Sequence, residues 1–191
     1  HLLVKNPEGK TLEGAGPIIW GTRLANSQTP GAWQAITYEK GTWILHMLRR
    51  RMGEAPFFQM LAELTKRFAL APLTNGDVQA LAAEVAPPEA RKSIAAFFDT
   101  WVYGTGMPEL TLVSKVNATA RTVSGTITQK QVDEDFSVEV PVEIQLGRGK
   151  TLMQWVKTSS DGAEFSVKLP PGVLPAQVKV ALDPNRSLLR R

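Results

Sequence analysis

Few side chains in this sequence could do chemistry, and their types exclude several kinds of active site. The 191-residue chain has no cysteine and two histidines, His1 and His46. A protein zinc site needs about three or four ligands from Cys, His, Asp and Glu, so the usual histidine-rich catalytic site cannot be assembled within this chain. The absence of cysteine also excludes disulfides and thiolate nucleophiles. Any chemistry here must therefore depend on other side chains.

Three charged or titratable groups resemble functional sites, but each fits a structural interpretation better. His46 could serve a Ser-His-Asp triad, yet its place on the flank of a helix favours packing. The run Arg49–Arg51 has no interleaved aromatic platform, which disfavours nucleic-acid binding and favours a solvated face or a salt bridge. Asp133–Asp135 lacks the ligand spacing of a calcium loop. The sequence also contains no phosphate loop or dinucleotide fingerprint.

Tyr38 is the residue whose position most needs a functional explanation. Residues 31–52 read as one amphipathic helix, and at about 100° per residue its apolar face is formed by Ile36, Trp43, Ile44, Met47 and Leu48. Tyr38 falls about 200° from Ile36, with Leu45 and Met52 near it. The helix therefore faces a core on one side and something else on the side of Tyr38.

Residues 1–107 are predicted to form a helical domain. Three amphipathic helices follow the first: Pro56 begins the second, Thr74 and Asp77 cap the third, and Pro87–Pro88 ends the third and begins the fourth. The short apolar run Ile18–Trp20, bounded by glycine and proline, is predicted to be extended. The aromatic side chains expected in the core are Trp33, Trp43, Phe57, Phe58, Phe97, Phe98 and Trp101.

Residues 108–191 are predicted to form an antiparallel β-sandwich of the immunoglobulin or fibronectin kind, because the hydrophobic period changes to two. The strand-like segments are Leu110–Val116, Thr122–Thr128, Val138–Leu146, Leu152–Thr158, Ala163–Leu169 and Val178–Leu182. Pro141 favours an edge position or a bulge for the third strand. Turn residues follow at Gly147–Gly149 and Asp161–Gly162. The expected class is thus α+β with two domains.

Composition places few limits on partners and compartment. The 22 basic and 18 acidic residues give a net charge of +4, but the charges are scattered, so nucleic acid is not an expected partner. The longest apolar runs are only a few residues, so no transmembrane segment is expected. The sequence begins at His1 without a signal-peptide pattern, which indicates a fragment of a longer protein and leaves its localisation open.

Several motifs, in order along the chain, resemble the aminopeptidase N family of zinc metallopeptidases, gluzincins of the membrane alanyl aminopeptidase type. The most specific combination is Tyr38-x-Lys40-Gly41 followed by His46-Met47-Leu48-Arg49. Further matches in order and spacing are Gly16-Pro17-Ile18, Gly21-x-Arg23-Leu24, Thr74-x-x-Asp77, Phe97-Phe98-x-x-Trp101-Val102 and Leu182-Asp183-Pro184-Asn185.

This resemblance implies a fold and a role for Tyr38. The chain is expected to be the helical C-terminal part of a metallopeptidase catalytic domain followed by a β-sandwich. Members of the family bind zinc through H-E-x-x-H and a later glutamate; the motif is absent here, so zinc is expected in the intact parent and not in this fragment. The family tyrosine that matches Tyr38 stabilises the tetrahedral intermediate, because a neutral phenol can donate a hydrogen bond to a developing oxyanion.

Three interpretations of function follow. In the first, the intact parent removes N-terminal residues from peptides, and the isolated chain, lacking the rest of the catalytic domain, is inactive or self-associates. In the second, the chain belongs to a non-catalytic scaffold or interaction module of the same fold. In the third, it is an unrelated helical binding module with an adhesive sandwich, and Tyr38 is buried in its own core. The enzyme interpretation instead predicts Tyr38 on an open face.

Overall fold

The computed structural model describes residues 1–147 and 149–191. These residues form two compact units, His1–Gly106 and Met107–Arg191. The first unit is helical and the second consists of antiparallel sheets, which confirms the predicted α+β class. The turn predicted at Gly147–Gly149 includes Arg148, which lies outside the described residues.

The described residues of the helical unit contain six α-helices and three segments of other helical types. The α-helices are α1 (Ala32–Gln34), α2 (Gly41–Met52), α3 (Glu54–Phe68), α4 (Asn75–Val85), α5 (Pro88–Arg91) and α6 (Ile94–Trp101). The other segments are 3-10 turns at Glu13–Ala15 and Ile18–Leu24 and a π-helical segment at Ala35–Lys40.

The extended conformation predicted for Ile18–Trp20 is wrong, because the segment Ile18–Leu24 forms 3-10 turns. Pro17, in extended conformation, precedes the first turn, and Gly21 interrupts the segment with φ of 55° and ψ of −127°. A glycine adopts that left-handed backbone without steric cost, so the chain can bend there and continue into a second turn. The apolar side chains then pack as a helical turn packs, with Leu24 against Ile36 in one buried cluster.

The helix predicted over residues 31–52 is present as a continuous helical stretch from Ala32 to Met52, but the segment Ala35–Lys40 between α1 and α2 is π-helical. Ile36, Ile44, Met47 and Leu48 are buried as predicted, while Trp43 is only partly buried. Met52, predicted near Tyr38, is instead buried. A π-helical turn contains an extra residue, so it changes the angular phase of every side chain that follows it.

The remaining helices follow the sequence signals with two exceptions. Thr74 and Asp77 form the predicted capping box at the start of α4. Phe58, predicted to be in the core, is exposed and lies under the Arg49 guanidinium, whose carbon is 5.2 Å from the ring centroid. The fourth predicted helix is divided into α5 and α6, because Lys92 and Ser93 interrupt it.

The described residues of the β unit form two antiparallel three-stranded sheets, a sandwich-like arrangement. Its strands are β1 (Glu109–Asn117), β2 (Thr122–Lys130), β3 (Val138–Gly147), β4 (Lys150–Thr158), β5 (Ala163–Lys168) and β6 (Lys179–Leu182). One sheet has the order β1-β2-β5 and the other has the order β4-β3-β6. Alternate residues of β3 are buried, as the sequence pattern predicted.

The edge position predicted for Pro141 is wrong, because β3 is the central strand of its sheet. Pro141 is opposite Trp155 on β4, and its carbonyl accepts a hydrogen bond from the Asp183 N–H at 2.8 Å, on the β6 side. The amide nitrogen of a strand residue points to the same neighbour as its carbonyl. The missing N–H of Pro141 therefore points towards the end of β6, which stops at Leu182. No residue of β6 pairs with Pro141, so the ladder between β3 and β6 loses no hydrogen bond. The bulge in β3 occurs further along, between Gln145 and Gly147.

None of the helices in the described part of the chain has the length and apolarity that crossing a bilayer requires.

Candidate active site

Tyr38 lies on the π-helical segment and projects away from the core of the helical unit. Its side chain is 59% exposed, and its ring packs edge-on against Trp33 with 5.7 Å between the centroids and 86° between the planes. Ile36 lies two residues before Tyr38 and Lys40 two residues after it, and both are fully buried. Tyr38 therefore occupies the open face that the enzyme interpretation predicts, and it is not part of this unit's core.

The backbone around Tyr38 is bonded in an irregular pattern. The Gly41 N–H bonds to the carbonyls of both Ile36 and Tyr38, the first being the i−5 contact that defines a π-helix. The Thr42 hydroxyl donates a further hydrogen bond of 2.6 Å to the Tyr38 carbonyl. Such back-bonding often bends a helix. π-helical turns are rare, and those that occur are frequently found at functional sites, so this turn is a candidate for one.

Gly41 allows another segment to approach the turn closely. A Cβ atom added at Gly41 would lie 3.3 Å from Cδ1 of Ile18, tighter than an ordinary van der Waals contact. Gly41 therefore fits the turn against the 3-10 segment that begins at Ile18. The glycine of the Tyr38-x-Lys40-Gly41 motif thus has a packing role in this structure.

Lys40 carries a buried charge directly beneath the tyrosine-bearing turn. Its Nζ donates hydrogen bonds to Oε1 of Glu13 at 2.7 Å and to the Gly104 carbonyl at 3.1 Å. The side chains of Lys40 and Glu13 are 0% and 5% exposed. The same Glu13 oxygen accepts a hydrogen bond of 2.8 Å from the Gly106 N–H. This buried network joins three segments that are distant in sequence.

Glu39, between Tyr38 and Lys40, contacts His1 near the surface. The His1 Nδ1 and the Glu39 Oε1 are 2.7 Å apart, and the histidine side chain is 80% exposed. His46 is on α2 and packs edge-on against Trp43, with the ring centroids 5.6 Å apart. This packing agrees with the structural interpretation of His46 made from the sequence.

The basic run Arg49–Arg51 is engaged by groups of the same unit. Arg49 donates two hydrogen bonds to the Glu54 carboxylate at 2.8 and 2.6 Å, and Arg51 donates one of 2.8 Å to the Ser93 hydroxyl. The hydrogen bond from Arg49 lowers the pKa of Glu54 from its ordinary value. These contacts agree with the salt-bridge interpretation of the run.

Zinc does not fit the residues present. The described part of the chain contains no group of three or more His, Cys, Asp or Glu side chains that could hold a metal ion. The acidic run Asp133–Asp135 does not form such a group either.

Comparison with known proteins identifies the helical unit. Residues 8–101 match the model of the Peptidase family M1 domain. The chain carries part of an M1 peptidase domain. This match confirms the family resemblance that the Tyr38 motif indicated. No curated protein matches the sequence of this chain.

The fold of the M1 segment and the β unit is similar to part of a known enzyme. The crystal structure of Legionella pneumophila aminopeptidase A in complex with aspartic acid matches with a TM-score of 0.61 and 16% sequence identity. The match covers 84% of this chain and 18% of that enzyme, so this chain spans about a fifth of its length. At such low identity the similarity shows the fold.

The partners of Lys40 could not be identified from the sequence alone. Glu13 is 27 residues before Lys40, and the Gly104 carbonyl is 64 residues after it. Neither has a local pattern that marks it, because the contacts depend on the tertiary fold. The only available signal was Lys40 itself, since a lysine on the core side of a helix needs a buried acceptor.

Proposed function

We propose that this chain is the later part of the catalytic domain of an M1 aminopeptidase, together with the sandwich-like domain that follows it. The complete enzyme would remove N-terminal residues from peptides. The membership of residues 8–101 in the M1 family supports this proposal. The family implies zinc in the complete enzyme, but the described residues do not fit a zinc site, so the proposal gives them no metal-binding role.

In this proposal Tyr38 is the catalytic residue of the chain. Its phenol would donate a hydrogen bond to the oxygen that gains negative charge as the scissile carbonyl becomes tetrahedral. The observation that carries the proposal is the exposed position of Tyr38 on a π-helical turn that buried side chains hold from below. An exposed donor on a fixed backbone can be aimed at a reacting atom without reorganisation during the reaction.

Replacement of Tyr38 by phenylalanine in the complete enzyme tests this role. Tyr38→Phe removes the hydroxyl and keeps the ring that packs on Trp33. We expect kcat to fall by about 10²–10³-fold, the usual cost of losing one oxyanion donor, with little change in KM.

Tyr103→Phe is the matched control, because Tyr103 is the other tyrosine of the chain and is also exposed. This variant should retain the wild-type kcat. A change of less than about threefold for Tyr38→Phe would remove the tyrosine from the mechanism, since a lost oxyanion donor costs far more.

The isolated chain of residues 1–191 should lack peptidase activity. After dialysis against zinc and then against buffer, we expect no stoichiometric metal by elemental analysis and no hydrolysis of aminoacyl anilides. One tightly bound zinc per chain, together with turnover, would contradict the proposal that the rest of the site is elsewhere in the parent.

We further propose that apolar side chains exposed on the helical unit contact the remainder of the parent catalytic domain. Ile19, Trp20 and Leu45 are each at least two-fifths exposed, which supports a covered surface in the intact protein. In the isolated chain the same side chains favour self-association, which sedimentation velocity over a range of protein concentrations would detect.

A further inference from the structure

The buried ion pair beneath Tyr38 is unusual in its degree of burial. Lys40 Nζ and Glu13 Oε1 are 2.7 Å apart, and neither side chain is more than 5% exposed. Removing two charges from water carries a large desolvation cost, which their mutual attraction only partly offsets. Apolar residues of similar volume often give equal or greater stability, so net stability is a weak explanation for this pair.

The network instead fixes geometry, because its groups come from three segments that are distant in sequence. Lys40 is the last residue of the π-helical segment, and Glu13 begins the 3-10 turn Glu13–Ala15. The Gly104 carbonyl and the Gly106 N–H belong to the chain that follows α6. The Lys40 amine therefore has one acceptor on each of two other segments, Glu13 and the Gly104 carbonyl, and these two hydrogen bonds anchor the π-helical turn to both segments.

Lys40 and Tyr38 are two residues apart and point in opposite directions. The lysine side chain is fully buried and the tyrosine is 59% exposed, so they lie on opposite sides of the same helical turn. A rotation of this turn about its axis would move both side chains together. When the Lys40 amine is fixed by its acceptors, the direction of the Tyr38 phenol is fixed as well.

We infer that Lys40, through its buried pair with Glu13, is a positioning residue that sets the orientation of the π-helical turn and therefore of the Tyr38 phenol. The catalytic meaning of this inference rests on the proposed function. Its geometric content does not, because the position of the Tyr38 ring can be measured in the chain of residues 1–191 without any turnover.

The first experiment measures the NOE between the rings of Tyr38 and Trp33, whose centroids are 5.7 Å apart. Tyr38→Phe assigns the tyrosine signal, since the chain contains two tyrosines. The double variant Lys40→Met/Glu13→Leu removes both charges together and avoids leaving one buried alone. The half-buried Gly104 and Gly106 can then bond to water.

We expect the double variant to lose the Tyr38–Trp33 NOE while its urea midpoint stays close to that of the wild type. A lower midpoint with an unchanged NOE would mean that the pair is merely structural and would overturn the inference. An unchanged NOE at an unchanged midpoint would overturn it too. Arg67→Gln, which removes the surface ion pairs with Glu63 and Glu84, is the control and should retain the NOE with only a slight change of the midpoint.

If the double variant does not fold, Glu13→Gln provides the same test. The amide has nearly the same size but no charge, so Lys40 loses the buried anion that holds its amine, and the hydrogen bonds of Glu13 are weakened. Loss or displacement of the ring NOE supports the inference, and retention of the wild-type NOE contradicts it.

A double-mutant cycle in the complete enzyme separates positioning from other effects. Glu13→Gln alone should lower kcat by about tenfold or more, because a small misplacement of a catalytic group is costly. In the Tyr38→Phe background the same change should lower kcat by less than about twofold, since Glu13 acts through the tyrosine. Equal losses in both backgrounds would show that the pair does not act through Tyr38, whereas failure of Tyr38→Phe alone would count against the proposed function only.

Discussion

Glu13 in the helical unit and Asp183 in the β unit are both buried carboxylates, but they are bonded over very different distances along the chain. Glu13 is bound by groups 27 and 93 residues away. Asp183 accepts hydrogen bonds from the N–H groups of Ser187 at 2.6 Å and Leu188 at 3.3 Å, only four and five residues away. The partly exposed Arg190 also pairs with Asp183, with 3.5 Å between Nε and Oδ2.

This difference shows that burial of a charge does not by itself indicate what the charge does. Asp183 satisfies backbone donors of a local turn at the end of β6, so its contribution is confined to that turn. Glu13 and Lys40 connect distant segments beneath an exposed tyrosine, so their contribution extends to the orientation of a helical turn. Substitutions in the Glu13–Lys40 pair and at Asp183 should therefore differ in how much stability they cost and in how much of the chain they affect.

The largest expected effect is that of Lys40→Met, which leaves the Glu13 carboxylate buried without its cation. Breaking a buried pair on one side costs about 3–5 kcal/mol of unfolding free energy. Urea denaturation of the chain would measure this loss, and hydrogen exchange should show it across residues 13, 40 and 104–106 together.

Lys66→Met is the control for this experiment, because Lys66 is 78% exposed and its amine is 3.8 Å from Glu63. Surface pairs of this kind contribute little, so no clear change of the midpoint is expected. If Lys40→Met were as mild as Lys66→Met, the buried pair with Glu13 would stabilise the fold no more than an exposed one.

Asp183→Ala should cost less and act locally. It removes the acceptor of two backbone N–H groups, and we expect a loss of about 2 kcal/mol in unfolding free energy. Asp183 also has a φ of 43°, in the left-handed region that alanine tolerates less well than aspartate or asparagine. Hydrogen exchange should increase in residues 183–191 and remain unchanged in β1 and β2.

Asp183→Asn separates the two causes of that loss. Asparagine tolerates the backbone conformation and retains one oxygen acceptor, so its cost should be about half that of alanine. Faster exchange throughout both sheets in either variant would mean that Asp183, like Glu13, has a distant role.

The sequence predicted the parts of this fold that depend on local signals. All six strands follow from alternating apolar residues, and the cap of α4 follows from Thr74 and Asp77. The angle of Tyr38 on an ideal helix predicted that it lies away from the core face, and the enzyme interpretation predicted that it is exposed. The π-helical turn did not reverse this, because Ile36 and Lys40 remain buried on the opposite side.

The parts that could not be predicted depend on contacts between distant residues. The Lys40–Glu13 pair requires the 3-10 turn, the π-helical segment and the end of α6 to meet, and no local pattern indicates that meeting. The central position of β3 was missed because the effect of Pro141 depends on where the neighbouring β6 ends. In the same way, the exposure of Phe58 depends on tertiary packing that its helical stripe does not reveal.

The smallest expected effect concerns an exposed carboxylate with good geometry. Arg67 donates hydrogen bonds to both oxygens of Glu84, at 2.9 and 2.7 Å, and this hydrogen bonding lowers the pKa of Glu84 from its ordinary value. A lowered folded-state pKa contributes stability that is present above the unfolded-state pKa and is lost as the pH falls through the folded-state value. The contribution should therefore be present at neutral pH and lost in acid.

Glu84→Gln tests this sign by comparing urea midpoints with the wild type at about pH 7 and about pH 2. We expect a slight decrease at neutral pH, which about 1 M salt reduces further, and no difference in acid, where the wild-type carboxyl is also neutral. A decrease as large as that of Lys40→Met would mean that hydrogen-bond geometry alone determines the strength of a pair. A small decrease would mean that burial and contacts between distant segments distinguish the pair beneath Tyr38. Short distances do not distinguish it, because Arg67 and Glu84 have equally short contacts at the surface.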